Sequence, residues 1–150
     1  MDVNNDSIER IQQLAEQFRQ ALEPLPKSDF SWCVQFAVSE FPSGCCDDTS
    51  ILLGEYLHQQ GVTGFERICG TKHHGLPPES GHVWLQRDDL VVDITADQFN
   101  DEIQEPLAAV VVMQGSQWHQ AFEEIENRGH ARIDAFQAMS ERAHAGLKAA

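Results

Sequence analysis

The stretch that decides the fold is Gly81-His-Val-Trp-Leu-Gln-Arg-Asp-Asp-Leu-Val-Val-Asp-Ile-Thr95. Two apolar segments flank its acidic pair Asp88-Asp89, a pattern typical of an antiparallel hairpin with a short polar turn. His82 falls on the first strand and Asp93 on the second. Strands of similar length can bring such side chains onto one face of a sheet. The sequence therefore predicts that a histidine and a carboxylate meet here.

A pair of cysteines precedes this hairpin, in the segment Phe41-Pro-Ser-Gly-Cys-Cys-Asp-Asp-Thr-Ser50. The Ser43-Gly44 turn and the apolar positions that follow predict a helix that begins at about Cys46 and ends at Gly61. A helix N-terminus stabilises a thiolate, and a nearby imidazole can accept the thiol proton. A thiol, a histidine and an aspartate in this order are the parts of a nucleophile, its base and the residue that orients the base.

The order Cys, His, Asp resembles the transglutaminase-like branch of the papain-type cysteine enzymes. Three short motifs carry the resemblance: Gly44-Cys-Cys46 with Asp48, His82-Val-Trp84 and Asp93-Ile-Thr95. Together they span roughly residues 41–99, and their order and spacing are more specific than any one of them. Proteases, amidases, arylamine N-acetyltransferases and the leader peptidases of lasso-peptide pathways belong to this superfamily.

The resemblance implies a papain-like core in which Cys46 is the nucleophile, His82 the base and Asp93 the orienter. It implies a hydrolase or acyltransferase that acts on an amide, a peptide bond or a glutamine side chain, through a thioester. The calcium-binding elements of the much larger transglutaminases have no counterpart here, so protein crosslinking is not implied. The alternative is a non-catalytic module of the same fold that binds a peptide or partner protein.

Residues around the predicted triad are candidates for the cleft. The backbone N–H of Cys46 is the default oxyanion donor, and Gln35 and Gln98 are candidate side-chain donors. Trp84 either lines the cleft or packs in the core beside His82. The polar loop 71–80 precedes the base and is expected to border the cleft.

Other cysteines and histidines have simpler interpretations. Cys33 and Cys69 lie in apolar stretches and are expected in the core, and Cys45 is interpreted as structural. A zinc site would use Cys69, His73, His74 and His82, but no Cys-x-x-Cys or His-Glu-x-x-His element supports it, so neither metal nor cofactor is expected. Three further histidines are expected on a surface helix or turn: His119, His130 and His144.

Hydrophobic periodicity predicts the rest of a single α+β domain over residues 1–150. An amphipathic helix begins near Asp6 or Ser7 and ends at Pro24, and a short buried helix follows within 28–40. Strands are expected at 65–70, 82–86, 90–95 and 108–113, and two helices at 117–127 and 131–147. N-terminal helices would thus pack on a small antiparallel sheet with C-terminal helices.

The composition of the chain indicates which classes of partner and which cellular location to expect. The 150-residue chain has 10 Lys and Arg against 24 Asp and Glu, a net charge of −14, which disfavours nucleic acid and attracts a cationic peptide or an amine. We expect a peptide or protein substrate, and the sequence predicts no oligomeric state. The acidic start lacks the pattern of a signal peptide, no apolar run is long enough for a membrane span, and four cysteines suit reduced thiols. A cytoplasmic location is therefore expected.

Overall fold

The computed structural model describes residues 7–22, 46–78 and 80–130. Its helices are α1 (Ile8–Leu22), α2 (Cys46–Gln59) and the short α3 (Gln117–Gln120), with a 3-10 helix over Ala96–Phe99. The strands are β1 (Glu66–His73), β2 (Gly81–Arg87), β3 (Leu90–Asp93), β4 (Val111–Gln114) and β5 (Phe122–His130). These elements confirm the predicted α+β class.

The five strands form one antiparallel sheet in the order β4-β3-β2-β1-β5. Arg87 pairs with Leu90, so the predicted hairpin turn is the two-residue Asp88-Asp89. Asp88 has a φ of +56°, a conformation that aspartate tolerates better than most residues. Because β2 and β3 lie in the interior of the sheet, both strands of the hairpin have a second paired strand: β1 beside β2 and β4 beside β3.

Apolar side chains cover both faces of the sheet because neighbouring residues along each strand point to opposite sides. On one face, Leu85 and Val92 pack against α1 and α2 in a buried cluster. On the other face, Trp84 and Val91 pack with Phe99 and Phe122. Among the described residues, the elements that cover the second face are short segments that follow β3 and β4. His82 lies on the same face as Trp84, two residues along β2.

Local signals explain where the first two helices begin and end. The Ser7 hydroxyl accepts a hydrogen bond from the Arg10 N–H at 3.1 Å, which caps α1 as its sequence predicts. The α2 helix begins at Cys46, as expected, and Gly61 follows its end with a φ of +87°. None of the helices in the described ranges has the length and hydropathy needed to cross a bilayer.

The predicted helix over 117–127 is wrong beyond its first turn. Residues 117–120 form α3, but residues 122–130 form β5, which pairs with β1 from Glu66 to His73. The ladder of backbone hydrogen bonds along β1 outweighs the helix propensity of this glutamate-rich segment. The expected loop 71–80 also starts later, because β1 continues to His73. The helices predicted within 28–40 and 131–147 lie outside the described residues.

Phe122 approaches the backbone of β1 closely at Gly70. A Cβ atom built on Gly70 would lie 2.5 Å from Cγ of the Phe122 ring, closer than real carbon atoms approach. Gly70 is also the β1 partner of His82 in the strand register. The absence of a side chain at Gly70 therefore lets the aromatic cluster close over the sheet beside His82.

Replacing Gly70 with alanine should destabilise the fold by about 1–3 kcal/mol, because the added methyl group overpacks the contact with Phe122. Gly81→Ala in β2 is the matched control, since its Cβ would meet only ordinary contacts at 3.4 Å or more. Urea denaturation measures both. Equal unfolding free energies for the two variants would show that the close approach at Gly70 does not matter.

Candidate functional site

His82 and Asp93 meet on the second face of the sheet. Nε2 of His82 lies 2.6 Å from Oδ2 of Asp93, and both residues are at most 2% exposed. Asp93 is the last residue of β3 and directly follows Val92, which pairs with Leu85 of β2. The structure therefore brings together the two strand residues that the hairpin pattern singled out.

Asp93 accepts hydrogen bonds on both carboxylate oxygens. Nε2 of a second imidazole, that of His119, lies 2.7 Å from Oδ2, and the backbone N–H of Thr95 donates to Oδ1 at 3.0 Å. Burial alone would raise the pKa of the Asp93 carboxyl, but the charges and hydrogen bonds of His82 and His119 lower that pKa well below its ordinary range. Asp93 is therefore an ionised carboxylate in the interior.

His119 corrects the sequence interpretation, which placed it on the surface. It is 2% exposed, and its Nδ1 lies 2.6 Å from Oγ of Ser116, the N-cap of α3. The capping pattern of a serine three residues before the histidine is readable in the sequence. Nothing local indicates that this ring reaches Asp93, 26 residues earlier.

The hydrogen bonds assign the ring protons of both histidines. An ionised carboxylate only accepts, so Nε2 of each ring carries the proton that it donates to Oδ2 of Asp93. The Ser116 hydroxyl can then donate to Nδ1 of a neutral His119 ring. In a neutral His82 ring, Nδ1 is the basic nitrogen. A carboxylate that fixes this tautomer performs the orienting role of a catalytic triad.

Aromatic rings surround the His82 imidazole. The ring centroids of Phe99, Trp84 and Trp118 lie 5.2, 5.8 and 5.9 Å from that of His82. Of the two roles considered for Trp84, the structure shows core packing: it is 1% exposed, and its Nε1 donates to Oε1 of Gln86 at 2.9 Å. These rings keep water from the His82–Asp93 hydrogen bond, which strengthens its electrostatic component.

Arg19 of α1 anchors the segment that follows Asp93. Its guanidinium is bidentate to the carboxylate of Asp97, with both distances 2.9 Å, and also donates to the carbonyl oxygens of Ile94 at 2.9 Å and Ala109 at 2.7 Å. The Arg19 side chain is only 9% exposed. Arg19 lies four residues after Ala15 on the buried stripe of α1, but its partners are 75 to 90 residues away, and the sequence alone does not indicate them. The hydrogen bonds fix the backbone directly after Asp93.

Three predicted site residues remain: Cys46, Gln35 and Gln98. Cys46 is the first residue of α2, and its side chain lies outside the described part of the structure, as does the whole of Gln35. Gln98 lies in the 3-10 helix, where its Nε2 donates to the Thr95 carbonyl at 2.9 Å. This bond occupies an amide hydrogen that was expected to be an oxyanion donor.

Two groups of residues have side chains of the types that bind metals. His73, one of the residues considered for zinc, contacts the Trp118 carbonyl through Nε2 and accepts from the Gly75 N–H through Nδ1. His82, Asp93 and His119 offer three ligand atoms that lie within 4.8 Å of one another. However, Oδ2 lies 2.6 and 2.7 Å from the two Nε2 atoms. Ligands of one tetrahedral zinc ion are about 3.3 Å apart, so these distances fit hydrogen bonds better.

Comparison with known proteins gives no relative: no protein-family model, curated protein or solved structure shows a significant match to this chain. The chemistry of the site is therefore argued from its own residues.

Replacing Asp93 with asparagine should cost about 3 kcal/mol near pH 7, because the amide removes the negative charge and puts an NH2 group against either the two imidazole N–H groups or the Thr95 N–H. Because the pKa of Asp93 is lowered in the folded state, its contribution to the free energy of unfolding depends on pH. The ionised carboxylate contributes fully above the ordinary aspartate pKa of 3.8, and this contribution declines as the pH falls below that value. The difference in unfolding free energy between wild type and Asp93→Asn should therefore shrink between pH 6 and pH 3.

Urea denaturation across this pH range measures the difference. Asp89→Asn, in the exposed hairpin turn, is the matched control and should stay close to wild type throughout. A difference between wild type and Asp93→Asn that does not change with pH would contradict the assignment of Asp93 as the buried carboxylate.

Replacing Arg19 with methionine should destabilise the protein by about 3 kcal/mol, because the Asp97 carboxylate and two carbonyl oxygens lose their donor. Arg128→Met is the matched control: its ion pair with Glu126 lies on the surface, where such pairs contribute at most about 1 kcal/mol. Urea denaturation compares the two variants. Equal losses would mean that the Arg19 hydrogen bonds do not hold the segment after Asp93.

Proposed function

We propose that this protein is a cysteine-dependent hydrolase or acyltransferase that acts on an amide through a thioester. In this proposal Cys46 is the nucleophile, His82 the base and Asp93 the orienter. The observation that carries it is the buried 2.6 Å hydrogen bond from Nε2 of His82 to an ionised Asp93. That bond leaves Nδ1 as the nitrogen that can act as the base.

The first turn of α2 lies beside the strand that carries His82. The α2 helix packs on the first face of the sheet and the His82 ring lies on the second, so in this proposal the thiol meets the ring past the end of β2, where His82 is the second residue. The Ser50 hydroxyl lies 3.5 Å from the carbonyl oxygen of Val83, the residue directly after His82. Positions four residues apart share one face of a helix, so position 46 lies on the face that carries Ser50. A helix N-terminus at Cys46 would also stabilise its thiolate.

The chemical step follows from these roles. The thiol proton of Cys46 moves to Nδ1 of His82, and the sulfur attacks the carbonyl carbon of the amide. The tetrahedral intermediate collapses as the carbon–nitrogen bond breaks, and the amine leaves with the proton from His82. Water or a second amine, deprotonated by His82, then attacks the thioester and releases Cys46. Asp93 stays ionised throughout and holds the ring.

The architecture is compatible with a papain-like core of the transglutaminase type. A helix that begins with a cysteine packs on an antiparallel sheet whose adjacent strands β2 and β3 carry the histidine and the aspartate. The net charge of −14 favours a cationic peptide or protein as the substrate.

The burial of His82 is the observation that favours the alternative, a non-catalytic module that binds a peptide or partner protein. A histidine that is 1% exposed and held by a carboxylate also suits a purely structural role. Thiol reactivity separates the two, because a structural histidine has no effect on the pKa of a distant cysteine.

We expect iodoacetamide to alkylate Cys46 well below pH 8, before the other three cysteines, because an imidazolium and a helix N-terminus lower its thiol pKa. His82→Ala should move this reactivity to the range of a free thiol, near pH 8.5. Site-resolved mass spectrometry across a pH series measures the rate at each cysteine. His58→Ala, which removes an exposed histidine of α2, is the matched control.

A second measurement tests the thioester directly. Wild type is mixed with peptide and glutamine amides, quenched in acid, and searched by intact-protein mass spectrometry for an acyl adduct on Cys46. Low-pH alkylation that depends on His82, with an adduct, supports the enzyme. If Cys46 titrates like a free thiol whether or not His82 is present, the triad is rejected in favour of the binding module.

A further inference from the structure

We infer that His119, held by Ser116, is the positioning residue that keeps Asp93 aligned with His82. This inference deepens the proposed function and rests on it. His119 would not touch the substrate; it would act by fixing the carboxylate that fixes the tautomer of the base.

The first observation is that two imidazoles share one carboxylate oxygen. Oδ2 of Asp93 lies 2.6 Å from Nε2 of His82 and 2.7 Å from Nε2 of His119. The Thr95 N–H meets the other oxygen. Rotation of the carboxylate about its Cβ–Cγ bond would break the bonds to both rings at once. With His119 absent, the same rotation would sacrifice only one imidazole bond.

The second observation is that the His119 ring is itself fixed from its own helical turn. Ser116 caps α3 and is 4% exposed, and its Oγ lies 2.6 Å from Nδ1 of His119. Because Nε2 donates to Asp93, Nδ1 of a neutral ring accepts from the Ser116 hydroxyl, and this second contact holds the ring in the orientation that faces Asp93. A chain of three hydrogen bonds connects Ser116 to His82 through His119 and Asp93.

The third observation is that aromatic packing holds the His119 ring in place. Trp84 of β2 and Trp118 of α3 both pack on this ring with centroids 4.8 Å away, at interplanar angles of 66° and 83°. Among the described residues, the titratable groups around the ring are Asp93 of β3, His82 of β2 and His73 of β1. Because the two indoles confine the ring, its Nε2–H points at Asp93 in a fixed direction.

The decisive experiment compares His119→Leu, which removes the donor, with His119→Gln, whose amide N–H can replace Nε2–H. Ser116→Ala removes only the hydroxyl that orients the ring. His58→Gln is the control for loss of a histidine. Nitrogen-15 NMR of the imidazole rings reports the tautomer and pKa of His82, and a pH series of Cys46 alkylation reports the reactivity of the thiol.

We expect His119→Leu to lower the rate of Cys46 alkylation at pH 7 by about tenfold, the scale of effect that second-sphere partners of histidines commonly have. The His82 ring should then populate both tautomers. His119→Gln should stay within about threefold of wild type, and Ser116→Ala should fall between them. Rescue by glutamine is the result that a purely structural role for His119 would not produce.

Three results would overturn the inference. In the first, folded His119→Leu keeps the wild-type pH profile and His82 tautomer. In the second, the leucine and glutamine variants lose reactivity equally, in step with their melting temperatures. In the third, purified wild type holds stoichiometric zinc that is lost with His119, which would make these residues metal ligands.

Failure of the proposed function itself gives a different pattern. Wild-type Cys46 would then show no reactivity that depends on His82, and the inference about catalysis would fall with it. The NMR comparison distinguishes the two cases, because the tautomer of His82 is measured without any reaction at the thiol.

Discussion

Burial of the ionised Asp93 carboxylate is the constraint on which the rest of the second sheet face depends. A charge moved out of water destabilises a fold by several kcal/mol unless it is surrounded by donors. Here two imidazole N–H groups and one backbone N–H fill that role. One donor comes from β2, one from α3 and one from the turn after β3, so this carboxylate joins all three elements. The aromatic rings around His82 therefore enclose a polar group, the His82–Asp93 hydrogen bond, instead of packing on apolar side chains alone.

Within residues 7–22, 46–78 and 80–130, short segments form the surroundings of this site. The 3-10 helix supplies Phe99, α3 supplies Trp118 and His119, and the first residue of β5 supplies Phe122. Each is tied by a specific contact: Arg19 holds the 3-10 helix, Ser116 caps α3, and Gly70 leaves room for Phe122. Packing on this face therefore depends on individual residues more than the helix-covered face does.

The sequence predicted most accurately what local patterns determine. The stripe of α1, the turn Asp88-Asp89 and the alternation along β2 and β3 each depend on neighbouring residues, and the meeting of His82 with Asp93 follows from one hairpin. The sequence did not predict β5, because an edge strand rich in glutamate owes its form to β1, more than 50 residues earlier. The buried contacts of His119 and Arg19 were not predicted for the same reason: their partners are distant in sequence, and neither residue type normally indicates a buried position.

The contact between Arg19 and Asp97 spans 78 residues, and the pairs between β1 and β5 span 49 to 64. Closing such long loops carries an entropic cost before the contacts can form, so proteins rich in them fold slowly. On the ribosome, Arg19 is synthesised long before its partner, and His119 is made only after the hairpin is complete. The hydrogen bond from His119 to Asp93 can form only after residue 119 has been synthesised, so the set of donors around this carboxylate is completed after the hairpin that carries it.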